Sequence, residues 1–262
     1  MDGGGGGWGG DRGDPNRGNN NNNNNDWFGG NSNWSMDAIF SMKDISEKTR
    51  AHLVRVYTTL LTATATCAVG MWINSTFVLQ GFMMMMLWIA AFAYGSYQVR
   101  NPSISENMQI MWLLSIAFSM GFMVGPGINQ IAEVQPELLT QAALYSTGAF
   151  GSFSAVALFS QRRSMLFLGG VIMSMGSAMC IYAMCGWLMG GAAFGIGWLM
   201  CALFMACMWI IFDTQIIVEE AERGQRNVAS HALTLFMDLF RLFIKVLQIL
   251  QELENSKNKK KK

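Results

Sequence analysis

Charge is scarce in this chain. Asp, Glu, Lys and Arg make up 13% of its 262 residues, against roughly 25% in soluble domains, while 52% of the residues are hydrophobic. A composition so poor in charge excludes an ordinary soluble domain and reads as an integral membrane protein. The basic residues lie in short clusters between apolar runs and the net charge is +1, so the basic stripe of a nucleic-acid binder is missing as well. A disulfide or metal framework is also missing. Cys67, Cys180, Cys185, Cys201 and Cys207 sit in apolar runs without ligand spacing or neighbouring histidines, and they read as small buried hydrophobes. The N-terminus lacks a basic stretch followed by an apolar one, so no cleavable signal peptide is expected and the first span is expected to target the chain.

Aliphatic residues are sparse over residues 1–38, where Gly3 to Gly7 and Asn19 to Asn25 form low-complexity tracts. Such a segment cannot bury enough apolar surface to order itself and is read as a disordered tail, its Trp8, Trp27, Phe28 and Trp34 included. A short polar helix is expected at Ser46 to Leu53, with Lys43, Lys48, Arg50 and Arg55 forming a membrane-flanking cationic patch.

The rest is built of long apolar runs. They place spans at about 53–73, 79–99, 108–132, 138–159, 165–185 and 197–218, with a weaker, more polar seventh segment at 228–250. Each reaches the roughly twenty residues needed to cross a bilayer. Residues 39–252 thus form the transmembrane domain, and 253–262 a Lys-rich tail. Small residues at helical spacing, Gly121 with Gly125 and Gly170 with Ser174 and Ser177, read as helix packing. The 22 methionines read as core or lipid-facing surface and imply no copper path.

Lys and Arg are absent from the loops at 74–78, 133–137 and 186–196, whereas Arg100, Arg162, Arg163, Arg223 and Arg226 occupy the alternate loops. That pattern puts the N-terminus and the basic loops in the cytoplasm for six spans. A plain crossing by the seventh segment would carry Lys257 and Lys259 to Lys262 outside. It also contains His231, Asp238, Arg241 and Lys245, too polar for lipid on all sides. It is therefore either sheltered inside a bundle of six or re-entrant.

Two acids stand where lipid would otherwise be. Asp213 lies in Ile210-Ile211-Phe212-Asp213-Thr214-Gln215-Ile216, after a run from Cys180 to Trp209 without any charge, and Asp238 lies in Phe236-Met237-Asp238-Leu239-Phe240. A carboxylate at bilayer depth costs about 2.5–3.5 kcal/mol on insertion scales and marks a water path or a partner.

Three stretches carry a resemblance. Gln161-Arg162-Arg163-Ser164-Met165-Leu166-Phe167-Leu168-Gly169-Gly170, then Phe212-Asp213-Thr214-Gln215 with Glu219 to Gly224, then His231 through Asp238, closely resemble the Bax-inhibitor family, and Ile45 to Tyr57 is similar to the start of its first span. The likeness covers about residues 40–255. It implies an all-α seven-helix bundle with the polar seventh helix central, a location in the endoplasmic reticulum membrane, and suppression of cell death. It further implies a pH-sensitive calcium leak sensed by an aspartate pair, which carries over to Asp213 and Asp238, with no resident cofactor and only transient calcium. The chain departs from that pattern at Thr234 and after Gly125-Pro126, where the family has acids, and at Arg241, where it has a small polar residue.

Two facing carboxylates in a low-dielectric site cannot both ionise cheaply, so they share a proton that bridges their helices. Its removal makes the carboxylates repel and opens a path. Calcium would need further oxygens, for which Asn129, Thr214, backbone carbonyls or water are available. His231 and Arg241 lie at −7 and +3 from Asp238, on one helix face. Arg241 is expected to favour the ionised Asp238 and to bias the sensor toward its deprotonated state. Lys259 and Lys260 stand fourth and third from the end, similar to a dilysine retrieval signal that acts only in the cytoplasm, and they equally fit an acidic-lipid patch; either reading favours a cytoplasmic C-terminal tail. Partners implied are the bilayer, calcium and membrane-bound death regulators, with no nucleic acid.

Two other readings remain open at this point. A non-conducting adaptor for death regulators would not need either carboxylate. An intramembrane aspartyl protease would, but it places its second aspartate in Gly-x-Gly-Asp, whereas this chain has Leu235-Phe236-Met237-Asp238, so the chain is expected not to be an enzyme.

Overall fold

The apolar runs become helices because lipid offers no partner for backbone polar groups, which a helix satisfies within itself. The computed structural model describes residues 46–76, 82–159, 164–188 and 195–260, and every regular element among them is helical. In chain order they are α1 (Glu47–Thr76), α2 (Phe82–Arg100), α3 (Glu106–Val134), α4 (Pro136–Phe159), α5 (Ser164–Leu188), α6 (Ile196–Glu222) and α7 (Val228–Lys260). The chain is an all-α polytopic membrane protein. Among the described residues, α1, α3, α5 and α6 carry windows long and apolar enough to cross a bilayer. The low-complexity tail, Lys43, the 161–163 basic loop and Lys261–Lys262 lie outside the described residues.

α7 is the axis of the bundle. It packs against α1, α2, α3, α4 and α6, while α5 stands at the edge against α6. Val228, Ala229, Ala232, Leu235, Phe236 and Leu242 of α7 are buried with Val56, Leu60, Ile116 and Ile210 in one core. This is how a helix carrying Asp238 and His231 exists at bilayer depth: neighbouring helices cover its polar side chains. The re-entrant alternative is not what forms, since Val228–Lys260 is one unbroken helix of 33 residues, about 50 Å long at 1.5 Å per residue. Nor does it stop near 250. Beyond that point it continues as an exposed helix, with Lys257 reaching back to Glu254 at 3.4 Å. The short polar helix expected at Ser46 to Leu53 is likewise no separate element, because the same helix runs on from Glu47 into the span.

The unbroken α7 fixes which ends lie together. Ser46 N–H donates to Glu222 Oε1 at 2.9 Å, and Asn227 Nδ2 donates to the Val99 carbonyl at 3.4 Å, so the start of α1 shares an end with the α2 terminus and the α6–α7 turn. Leu247 packs instead with Ile128, Leu138 and Ala142 around the α3–α4 turn. Lys259 and Lys260 therefore leave the bundle at the end opposite Ser46. The physical reason is the missing break in α7.

Gly121 and Gly125 do the packing expected of them. A Cβ on Gly121 would overlap the Cys67 carbonyl, and one on Gly125 would lie 2.9 Å from Asn74 Cβ, so α1 and α3 touch backbone to backbone. Gly170, Ser174 and Ser177 do not act this way: nothing lies within 4 Å of a Cβ on Gly170, and both serines are exposed. Among the described residues α5 packs chiefly against α6, and its neighbour Gly169 is the residue that meets Phe212. The same edge position leaves Cys180 and Cys185 exposed, Cys201 on α6 is exposed too, and Cys67 and Cys207 are buried as expected. Gly121→Ala should lower stability in detergent by about 3 kcal/mol, since neither facing backbone can give way. Gly148→Ala, where the space is open, should be neutral or stabilising in the same denaturation assay.

A candidate proton and cation site between α6 and α7

The turn from α6 to α7 sets the register of the site. Gly224 takes φ +91°, Gln225 N–H bonds to the Glu220 carbonyl at 2.9 Å and Gly224 N–H to that of Ala221 at 3.2 Å, the paired bonds of a Schellman ending. Asn227 then caps α7, its Oδ1 accepting from Ser230 N–H at 2.9 Å. With the two helices joined this tightly, the same face of α7 presents His231, Thr234 and Asp238 to α6.

Asp213 and Asp238, apart by 25 positions, lie close enough across the α6–α7 seam for their carboxyl groups to interact. Asp238 is 2% exposed. Its Oδ1 accepts from Arg241 Nη1 at 3.1 Å, while its Oδ2 takes no donor among the described residues. An acceptor buried without a donor is costly, and a proton shared with Asp213 removes that cost, turning two facing acceptors into a donor and an acceptor. Arg241 does not leave for the interface alone: its side chain is 46% exposed yet remains bonded to the carboxylate.

Asp213 lines two clefts at once. One, of about 640 Å³, opens toward the α6–α7 turn past Arg100, Glu220, Arg226, His231 and Thr234. The other, of about 340 Å³, is bordered by Trp209, Met205, Arg241 and Lys245. The two clefts thus share Asp213 as a common wall, with Asp238 beside it. Chemically, such a pair can hold or release a proton, and once ionised it offers two anionic oxygen donors to a passing cation. The described residues contain no group of three or more His, Cys, Asp or Glu that could hold a metal ion, and Arg241 offsets part of the negative charge.

The profile of the family described as inhibitor of apoptosis-promoting Bax1 matches residues 49–255, from the first turn of α1 to near the end of α7. The chain belongs to this Bax-inhibitor family. It is similar to Bax inhibitor 1 of Mus musculus, at 32% identity over 241 residues that cover 87% of this chain and 97% of the relative. Bax inhibitor 1 of Bos taurus is 31% identical over 240 residues, with the same coverages of 87% and 97%. The Oryza sativa subsp. japonica protein of that name is 30% identical over 238 residues, 88% of this chain and 92% of its own.

Within this Bax-inhibitor fold, the residues singled out in the sequence divide into two groups. Asp213, Asp238, Arg241 and His231 come together along the α6–α7 seam. Thr214 does not join them. A step of 100° around α6 turns it inward, 1% exposed, where its hydroxyl and that of Ser154 lie beside Tyr57 OH without reaching hydrogen-bond geometry. Asn129 is also remote: it follows Ile128, which packs with Leu247, nine positions beyond Asp238 or about 13 Å along α7. Neither can complete a calcium shell at the pair, because helix geometry sends one to α1 and α4 and the other to the far end. Lys259 is exposed at the end of α7, and Lys260 ends the helix.

Two polar residues escaped the sequence reading. His52 of α1 and Glu220 of α6 meet His231, with His52 Nε2 2.9 Å from His231 Nδ1 and His231 Nε2 3.0 Å from Glu220 Oε2. The available signal was that this chain has only two histidines, both at helix starts, at what the loop pattern makes the same side.

Proposed function

We propose that this Bax-inhibitor family member suppresses cell death from the endoplasmic reticulum membrane, by a calcium leak whose gate is the proton shared between Asp213 and Asp238. The observation that carries the reading is Asp213, which lines two clefts and interacts with the buried Asp238. Loss of the proton sets two like charges against each other in a poorly solvated seam, pushes α6 from α7, and joins the clefts. The death-suppressing part is supported by the relatives, which bear the name Bax inhibitor 1, and calcium and the bilayer are the proposed partners. The chemistry is transport and not catalysis: Asp238 is bonded to Arg241, which competes with any water that a protease would activate.

Arg100, Arg223 and Arg226 support a cytoplasmic end shared with Ser46. Because α7 runs straight through, we place Lys259 and Lys260 on the lumenal side, where a dilysine signal has no cytoplasmic reader. A glycosylation reporter fused after Lys262 should then be modified and one fused before Met1 should not; modification of neither would return both termini to the cytoplasm.

The function is tested in cells depleted of their own Bax inhibitors, by measuring stored calcium and survival after an apoptotic stimulus. The wild type should lower stored calcium and protect, and Asp213→Asn and Asp238→Asn should lose both effects. Protection that survives both substitutions would instead establish the non-conducting adaptor binding membrane death regulators.

A further inference from the structure

The chain's two histidines are 179 positions apart and hydrogen-bonded to each other. Each is 5% exposed, and their rings meet edge to face with centroids 5.1 Å apart. His231 bonds in turn to Glu220, whose side chain is 41% exposed in the cleft mouth. A continuous chain of polar atoms therefore runs from a wetted carboxylate on α6, through the first turn of α7, to a buried ring on α1. None of these three residues belongs to the aspartate pair.

The chemistry of this chain limits how many protons it accepts. An ionised Glu220 only accepts, so His231 Nε2 carries a hydrogen. In a neutral His231 the other nitrogen, Nδ1, is then a bare acceptor, and His52 Nε2 must donate to it. One added proton leaves every bond in place, because it can sit on the far nitrogen of His52. It can equally sit on His231 Nδ1, with His52 turning acceptor. A second proton has no such place. Both rings are then charged, two N–H groups point at each other across 2.9 Å, and the bond between α1 and α7 is gone.

The surroundings oppose that second charge until the solution is acidic. Facing the rings are Arg55 of α1 and Arg226 of the α6–α7 turn, with Arg100 of α2 and the acids Glu220 and Asp213 of α6 around the same cleft. α3 contributes Glu106, which is engaged by Arg55 at 2.6 Å. The single charged residue of α4, Glu137, lies at the other end. On α7, Asp238 is the next charged residue after His231.

We propose that Glu220, His231 and His52 form a proton-binding latch, distinct from the aspartate pair, that fastens α1 to α7 at the cleft mouth, holds through one added proton and parts on the second. Parting frees the start of α1 from the first turn of α7 and widens the approach to Asp213.

The test uses the full chain in lipid nanodiscs with 15N-labelled histidine, which gives two imidazoles to follow from about pH 8 to pH 4.5. Both rings should move together in two steps separated by at least about one pH unit, as strongly coupled sites do. Amide exchange at 51–54 and 228–232 should rise across the second step. In His52→Gln, whose amide can still donate to His231 Nδ1, His231 should titrate in one step and the acid-induced rise in exchange should be lost. Independent single-site curves for the two wild-type rings, or exchange unchanged by acid, would overturn the latch. The wild-type titration decides the matter even if the variant fails to fold. No ion flux is read, so this result and the calcium proposal stand or fall separately.

Discussion

With Asp238 replaced by asparagine, calcium flux through the reconstituted protein should lose its dependence on pH. On the proposed gate the pair shares one proton, so flux should change about tenfold over the two pH units centred on its midpoint. Asparagine cannot ionise, but its amide can donate to Asp213 and preserve the bond across the seam. The helices then stay together at every pH, and the ratio of flux at about pH 7.5 to that at about pH 5.5 should fall to about one. Asp213→Asn should act in the same way from the other side. The fold should survive each change. Arg241, which would lose its charged partner in Asp238→Asn, is 46% exposed and can turn to water. Flux assays on protein of unchanged helical content measure this directly.

The second large effect is expected at Arg241. Its guanidinium is bonded to Asp238 Oδ1 at 3.1 Å and favours the ionised carboxylate. Removing it leaves the proton more firmly held, so the pair should release it only at higher pH. Arg241→Thr should therefore raise the pH midpoint of flux. A neighbouring arginine shifts a carboxyl by about one to three units, and the partial exposure of this one argues for the low end, about one unit. An unchanged midpoint would show that the contact does not tune the gate. Thr234, the other departure from the family pattern in this seam, lines the cleft that leads to Asp213, so Thr234→Glu should add negative charge there and increase flux at neutral pH.

Much of the fold was legible in the sequence because lipid imposes one local rule. Runs of about twenty apolar residues became helices near their expected bounds, with 108–132 found as Glu106–Val134 and 197–218 as Ile196–Glu222. The aspartates stood out for the same reason, as charges where the rule allows none. The seventh helix defeated the rule beyond 250 because its last turns are polar, and a solvated helix held by pairs such as Lys257 with Glu254 has no apolar signature to end.

The rest depends on rotation about helix axes, which one sequence leaves open. Thr214 sits beside Asp213 in sequence, yet 100° of turn sends it to Tyr57 and Ser154. Gly121 meets Cys67 while a Cβ on Gly170, at the same kind of spacing, would meet nothing within 4 Å, because α3 is flanked by α1 and α5 stands at the edge against α6. His52 and Glu220 were invisible as site residues, since their meeting with His231 joins three helices across 179 positions and appears only once the bundle closes.

The most direct test of the central claim is calcium entry into liposomes that contain the purified wild-type chain, followed from about pH 5 to pH 8. The account predicts entry above that of empty liposomes, rising as the shared proton is lost toward neutral pH. Entry equal to empty liposomes at every pH, from protein shown to be folded, would contradict it and leave Asp213 and Asp238 as a bond that fixes α6 against α7.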